Sequence, residues 1–293
     1  MDFSRLLNPE QLQAVMHEGG PMMIIAGAGS GKTRVLTYRI AKLMLDGVDP
    51  FNILALTFTN KAAREMKERI AQVVGESEAR NIWMGTFHSI FARILRQEAD
   101  KLGFGHDFTI YDQEDSQKLI RTIVREMQLD TEVYKPRQLA SRISALKNNL
   151  ITPRVYANHP ELLEQDMIAK REKFLEVYIT YNDRLFRANA MDFDDLLLKT
   201  NELLAKYPVV LMKYQRQFEH ILVDEYQDTN HSQYLIVKSL SNYYRNIAVV
   251  GDDAQSIYSF RGANIQNILN FKKDYPDATV YKLNKITALL KTL

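Results

Sequence analysis

The sequence predicts an α/β fold, a parallel sheet covered by helices and interrupted by an inserted helical segment. Three observations predict it. Short β-rich runs alternate with helical patterns near both ends of the 293-residue chain; the alternation stops between about 109 and 189; and a glycine-rich stretch separates the first β-run from the first long helical pattern. Alternating strand and helix signals are the rhythm of a helix-covered parallel sheet.

The elements follow in order. Met22 to Ala26 (MMIIA) reads as the first strand, and Val35, Leu36, Ile40, Leu43 and Met44 then recur with helical spacing. NILALTF (52–58) precedes a helix from about Ala62 to Val74, and IWMGTF (82–87) precedes another from about Ser89 to Lys101. From about Thr109 to Asn189 the chain reads as helices rich in Lys, Arg, Glu and Gln, broken at Pro136, Pro153 and Pro160. Strand-like runs resume at HILVDE (220–225), NIAVVGDD (246–253) and ATVYKL (278–283), so the sheet is expected to return after the excursion. Trp83 and Phe91 are assigned to the core.

Between the first strand and the first helix stands AGAGSGKTR, Ala26 to Arg34. Three glycines so close together let the backbone take angles, or approach a ligand, that a Cβ would forbid. The spacing is that of a Walker A loop, with Ala26 where the strict pattern has glycine and with Gly31, Lys32 and Thr33 closing it. Ala26, Gly27, Ala28, Gly29, Ser30 and Gly31 would wrap a phosphate chain, Lys32 would reach its β/γ phosphates, and Thr33 would place a hydroxyl on Mg²⁺. Such a loop needs an acid on a neighbouring strand, and ILVDEYQD offers Asp224 for Mg²⁺ and Glu225 as the base for an attacking water. ATP and Mg²⁺ are therefore the expected cofactors.

Composition narrows the alternatives. The net charge is only +2, so contact with nucleic acid must come from local patches. No cysteine occurs and the six histidines lack ligand spacing, which excludes disulfides and cysteine-bound metal. The start MDFSRLLNPEQ has neither a basic nor an apolar leader region, and no apolar run is long enough to span a bilayer; a cytoplasmic protein without membrane association is the expectation.

LNPEQ (7–11), AGAGSGKTR (26–34), LTFTNKAAREM (56–66), GTFHS (85–89), MDFDDLL (191–197), VDEYQDTN (223–230) and VGDDAQSIYSFRGA (250–263) together resemble the UvrD/PcrA/Rep family of superfamily 1 DNA helicases. The resemblance implies a first RecA-like motor domain from 1–108 and 190–283, an inserted helical subdomain at 109–189, and an aberrant tail at 284–293. It implies an ATP-dependent 3′-to-5′ helicase acting on single-stranded DNA and single-strand/duplex junctions. By that resemblance Gln11 reads adenine, Arg34 contacts the nucleotide, Lys32, Thr33, Asp224 and Glu225 take the roles above, and Gln255 senses the γ-phosphate. The single strand would run along Thr57, Phe58, Asn60 and Lys61, along Thr86, Phe87 and His88, and along Tyr258, Phe260 and Arg261. These clusters interleave aromatic faces for bases with cations and hydroxyls for phosphates. Phe260 stands where the family often has tryptophan.

After Leu283 the family continues with a segment like EQNYRSTQ, whose tyrosine stacks on adenine and whose arginine touches the γ-phosphate; this chain reads NKITALLKT (284–292). One coding of EQNYRSTQ, read in another frame, spells NKITALLK, and the tail is expected to be an out-of-frame end. The 293-residue chain is then expected to bind Mg·ATP weakly, to hydrolyse it slowly and not to unwind DNA. Two other readings stand beside the helicase: the motor of a helicase–nuclease, and a non-hydrolysing module that binds ATP and single-stranded DNA.

Overall fold

The computed structural model describes residues 1–252 and 264–284. Six of the β-rich runs become strands β1 (Met22–Ala26), β2 (Ile53–Thr57), β3 (Trp83–Thr86), β6 (His220–Val223), β7 (Ile247–Gly251) and β8 (Thr279–Leu283), which form one sheet in the order β3-β2-β6-β7-β1-β8. Every pairing is parallel. Strands covered on both faces lose the apolar/polar alternation and read as continuous apolar runs, which is why MMIIA, ILALT and IAVVG were legible as strands.

The chain divides into two compact units. The first comprises Met1–Ile90, Val209–Thr229 and Val237–Leu293 and holds this sheet. Helices α1 (Pro9–Val15), α2 (Lys32–Leu45) and α3 (Asn60–Val74), with the single turn α4 (Glu76–Ala79), belong to it. Val35, Leu36 and Ile40 of α2 and Met66 and Ile70 of α3 are buried in one core with Met22, Ile24, Ala55, Leu222, Ala248 and Val250 of the strands. Thr59 caps α3 by accepting from the Ala62 N–H at 3.1 Å, and Asn8 and Gln11 form a reciprocal capping box at the start of α1. Trp83 and Phe91 are buried, as assigned.

The second unit, Phe91–Pro208 with Asn230–Ile236, contains the whole of the segment 109–189. After α5 (Phe87–Glu98) its helices are α6 (Gln113–Glu126), α7 (Pro136–Asn148), α8 (Pro153–Ala157), α9 (Pro160–Ile168), α10 (Phe174–Arg187) and α11 (Asp195–Lys206). Pro136, Pro153 and Pro160 each open a helix, the position where a missing N–H costs nothing. Ile120, Ile123, Leu139, Ile143, Tyr178 and Tyr181 are among the buried core of α6, α7 and α10. The reading of 109 onward as helices alone omits a small parallel ribbon, β4 (Thr109–Tyr111) beside β5 (Ala190–Asp192). Three-residue strands are too short to show any periodicity.

Among the described residues the remaining helices are α12 (Pro208–Gln217), α13 (His231–Ser241) and α14 (Asn264–Asp274). Among the described residues no helix is long and apolar enough to cross a membrane. The tail from 285 on, and Gln255, Tyr258, Phe260 and Arg261, lie outside the described residues.

Candidate functional site

In the sheet order, β1, β7 and β6 are adjacent and parallel, so the segments that follow them leave from the same edge. Ligands of open α/β sheets bind beyond the carboxyl ends of the strands. Here those ends carry Gly27–Gly31, Asp252 and Asp224–Glu225.

The loop takes the conformation that its glycines permit. Gly29 (φ +79°) and Gly31 (φ +88°) are left-handed, and the Ser30 N–H and hydroxyl both donate to the Gly27 carbonyl, at 3.2 and 2.6 Å. Gly31 is the N-cap of α2 and supplies no side-chain cap, so the first-turn amides and the positive end of the helix dipole are left for an external acceptor. Ala26, where the strict pattern has glycine, ends β1 fully buried and paired with Leu283.

Lys32, the first residue of α2, lies between two carboxylates: its Nζ is 3.5 Å from Glu225 Oε2 and 3.4 Å from Asp252 Oδ2. Both distances are long for a charge-assisted bond. Asp224 is 6% exposed and accepts the Glu225 N–H on Oδ1 at 2.9 Å. Burial, then the neighbouring Glu225 carboxylate, push Asp224 up to about 6, against the opposing pull of that N–H bond and of Lys32. Glu225 holds a left-handed backbone (φ +47°), unusual for a residue with a Cβ.

Gln11 is 2% exposed; its Oε1 accepts from the Asn8 N–H at 3.2 Å and its Nε2 donates to the Ser30 carbonyl at 2.9 Å. It is thus tied to the loop itself. Arg34 donates from Nη2 to the Leu6 carbonyl at 2.7 Å, with its guanidinium 5.6 Å from the Tyr38 ring centroid. Thr33 and Ala28 complete the loop, the first half-buried and the second exposed.

Among the described residues, Thr57, Phe58, Asn60, Lys61, Thr86, Phe87 and His88 lie at or just past the carboxyl ends of β2 and β3. Phe58 and Phe87 face each other with ring centroids 5.5 Å apart, and Phe87 is only 1% exposed, so Phe58 is the ring of the pair with surface to offer. Thr57 ends β2 with 3% exposure. Asn60 and Lys61 begin α3 exposed, the lysine 3.8 Å from Glu65. Thr86 accepts from the Ser89 N–H at 3.2 Å and caps α5. Burial lowers His88 to about 4, so its ring is neutral at pH 7 and brings hydrogen bonding without charge.

Three residues of the site were not singled out in the sequence. Asp252 pairs with Lys32, Gln227 bonds both Glu225 and the Asp252 N–H, and Asn267 holds the carbonyls of Gln227 and Thr229. Asp252 was visible in VGDDAQ as a carboxylate at a strand end. Gln227 and Asn267 carry no signal without the fold.

Parallel sheet, glycine loop after β1 and carboxylates after β6 and β7 together define the RecA-like class of P-loop proteins. A sequence model of the UvrD/REP helicase N-terminal domain matches residues 7–276, and the chain belongs to that family. It is 49% identical over 280 residues to the ATP-dependent DNA helicase PcrA of Leuconostoc citreum, aligning 95% of this chain with 37% of that protein. It is 48% identical over 288 residues to the ATP-dependent DNA helicase PcrA of Staphylococcus aureus (98% and 38%), and 49% over 273 residues to that of Staphylococcus epidermidis (93% and 36%). The chain spans a little over a third of the length of these relatives.

Proposed function

We propose that this chain provides the ATP-binding motor domain of an ATP-driven DNA helicase that moves 3′ to 5′ along single-stranded DNA. The observation that carries the reading is the convergence of Lys32, Glu225 and Asp252 at the mouth of a glycine loop whose helix start is uncapped.

The residues fit Mg·ATP. Among the described residues no group of three His, Cys, Asp or Glu side chains could cage a metal alone. Mg²⁺ does not ask for such a cage, since it is usually held by one or two carboxylates plus substrate phosphates and water. The Thr33 hydroxyl and the Asp224 carboxylate would hold it, and it would supply neutralisation of the phosphate charge. The amides of the first turn of α2 bind phosphate oxygens. Lys32 exchanges its two long carboxylate contacts for the terminal phosphates. Glu225, released from Lys32, orients a water and accepts its proton. Gln11 fixes the loop and gives up one of its two bonds to read the adenine, while Arg34 contacts the nucleotide. Gln255 is proposed as the γ-phosphate sensor.

Thr57, Phe58, Asn60, Lys61, Thr86, Phe87 and His88, with Tyr258, Phe260 and Arg261, are proposed as the single-strand path. Phe58 and Lys61 are the most direct candidates because they retain exposed surface. Movement along DNA by this class of motor requires a second domain that closes on ATP and supplies arginine to the transition state. The test is ATP hydrolysis with and without single-stranded DNA, followed by strand displacement on a 3′-tailed duplex, using the protein expressed from its full gene. Strong stimulation by DNA and unwinding of that duplex support the reading; hydrolysis indifferent to DNA contradicts it.

A further inference from the structure

Gln227 is 2% exposed, two residues past Glu225. Its Nε2 donates to Glu225 Oε2 at 2.7 Å and its Oε1 accepts the Asp252 N–H at 3.2 Å. The orientation of the amide is forced. The Asp252 N–H can only donate and the Glu225 Oε2 accepts, so oxygen must face one and nitrogen the other. No carboxylate and no thioether can serve both at once. The Gln227 backbone is fixed in turn, because Asn267 Nδ2 donates to the Gln227 carbonyl at 2.9 Å and to the Thr229 carbonyl at 2.8 Å.

We propose that Gln227 is a positioning residue that aims the Glu225 carboxylate by tethering it to the end of β7; the inference rests on Glu225 being the general base. The need for a tether follows from the surroundings. The Glu225 side chain is 37% exposed, with Asp224 and Asp228 near it and Asp252 sharing Lys32, so like charges surround it. Its Lys32 contact is long at 3.5 Å and is the one that a phosphate would take over. When Lys32 leaves, the 2.7 Å bond from Gln227 is what still holds Glu225 Oε2 in place.

The test is a double-mutant cycle on the protein expressed from its full gene. Gln227→Met preserves side-chain length and removes both bonds. Expected is a fall of about tenfold or more in kcat for DNA-stimulated ATP hydrolysis with the KM for ATP changed less than about twofold, since misplacing a reacting group costs rate and not ground-state binding. In a Glu225→Gln background the same change should have no further effect, because the group it aims is already gone. Gln227→Glu, isosteric but unable to donate when ionised, should reproduce the kcat loss and covers the case in which the methionine variant fails to fold.

A second readout needs no hydrolysis. In the nucleotide-free 293-residue chain, exchange of the Asp252 amide hydrogen should speed up about tenfold in Gln227→Met as its acceptor disappears. Unchanged Asp252 exchange, an unchanged kcat, or an equal kcat loss with and without Glu225 overturns the proposal. Full hydrolysis by Glu225→Gln alone instead overturns the assignment of the base.

Discussion

Two lysines of this chain each sit between two carboxylates, and they do so differently. Lys147 in the helical unit is 0% exposed, 2.7 Å from Asp192 and 2.9 Å from Asp195, with the Tyr181 hydroxyl donating to Asp192 at 2.8 Å. Lys32 in the sheet unit keeps 14% of its side chain exposed and holds Glu225 and Asp252 at 3.5 and 3.4 Å. Burial alone would lower the Lys147 pKa, but the Asp195 and Asp192 carboxylates more than reverse it and raise it. The first cluster is short and closed, its lysine and both carboxylates hydrogen-bonded from within. The second is long and partly open to water, and it is where the proposed nucleotide phosphate would enter. Charge content does not separate structure from function here; completeness of the pairing does.

The comparison breaks most easily at Lys147. Lys147→Met strands two buried carboxylates and should cost about 3–5 kcal/mol, whereas Lys32→Met should change nucleotide-free stability by less than about 1 kcal/mol. Urea unfolding of the two variants measures both, and equal losses would erase the distinction. The next largest effect belongs to the ligand. Mg·ATP at a hundred times its Kd should add about 2.7 kcal/mol of apparent stability, and Lys32→Met should remove most of that gain. Thermal shift against ATP concentration reads it.

Asp224 sharpens the contrast through pH. Its folded pKa of about 6 lies above the ordinary value of 3.8, so the folded state binds more protons between those values and loses stability as pH rises through that window. Asp224→Asn should therefore be more stable than the parent by about 3 kcal/mol at pH 8, and the difference should vanish as pH falls below the ordinary carboxylate value. An Asn variant destabilised at pH 8 would contradict the burial argument. The smallest effect is at Gly31. An added Cβ meets Gln11 Nε2 at 2.6 Å on a backbone with φ +88°. Gly31→Ala should cost about 1 kcal/mol and weaken ATP binding as Gln11 is displaced from the loop.

Much of this was written in the sequence because the relevant signals are local. Continuous apolar runs gave β1, β2 and β7, the spacing Gly31-Lys32-Thr33 gave the loop, and an acidic pair after HILV gave Asp224 and Glu225. The ribbon of β4 and β5 was lost because three residues have no period. Lys147 carries no signal of its pairing in the sequence, since its partners come from residues more than forty positions away. Gln227 and Asn267 escaped for the same reason: an amide's role is defined by what stands at each of its ends, and only β6, β7 and α14 together bring those groups within reach.

The central claim is that the Lys32 cluster is a waiting room for a nucleotide's terminal phosphate. A crystal structure of the chain with Mg²⁺ and a nonhydrolysable ATP analogue tests it most directly. The account predicts phosphate oxygens against the first-turn amides of α2, Lys32 Nζ moved off Glu225 and Asp252 onto the terminal phosphate, and Asp224 turned toward the metal. Lys32 still paired with both carboxylates, and the analogue bound elsewhere, would contradict it.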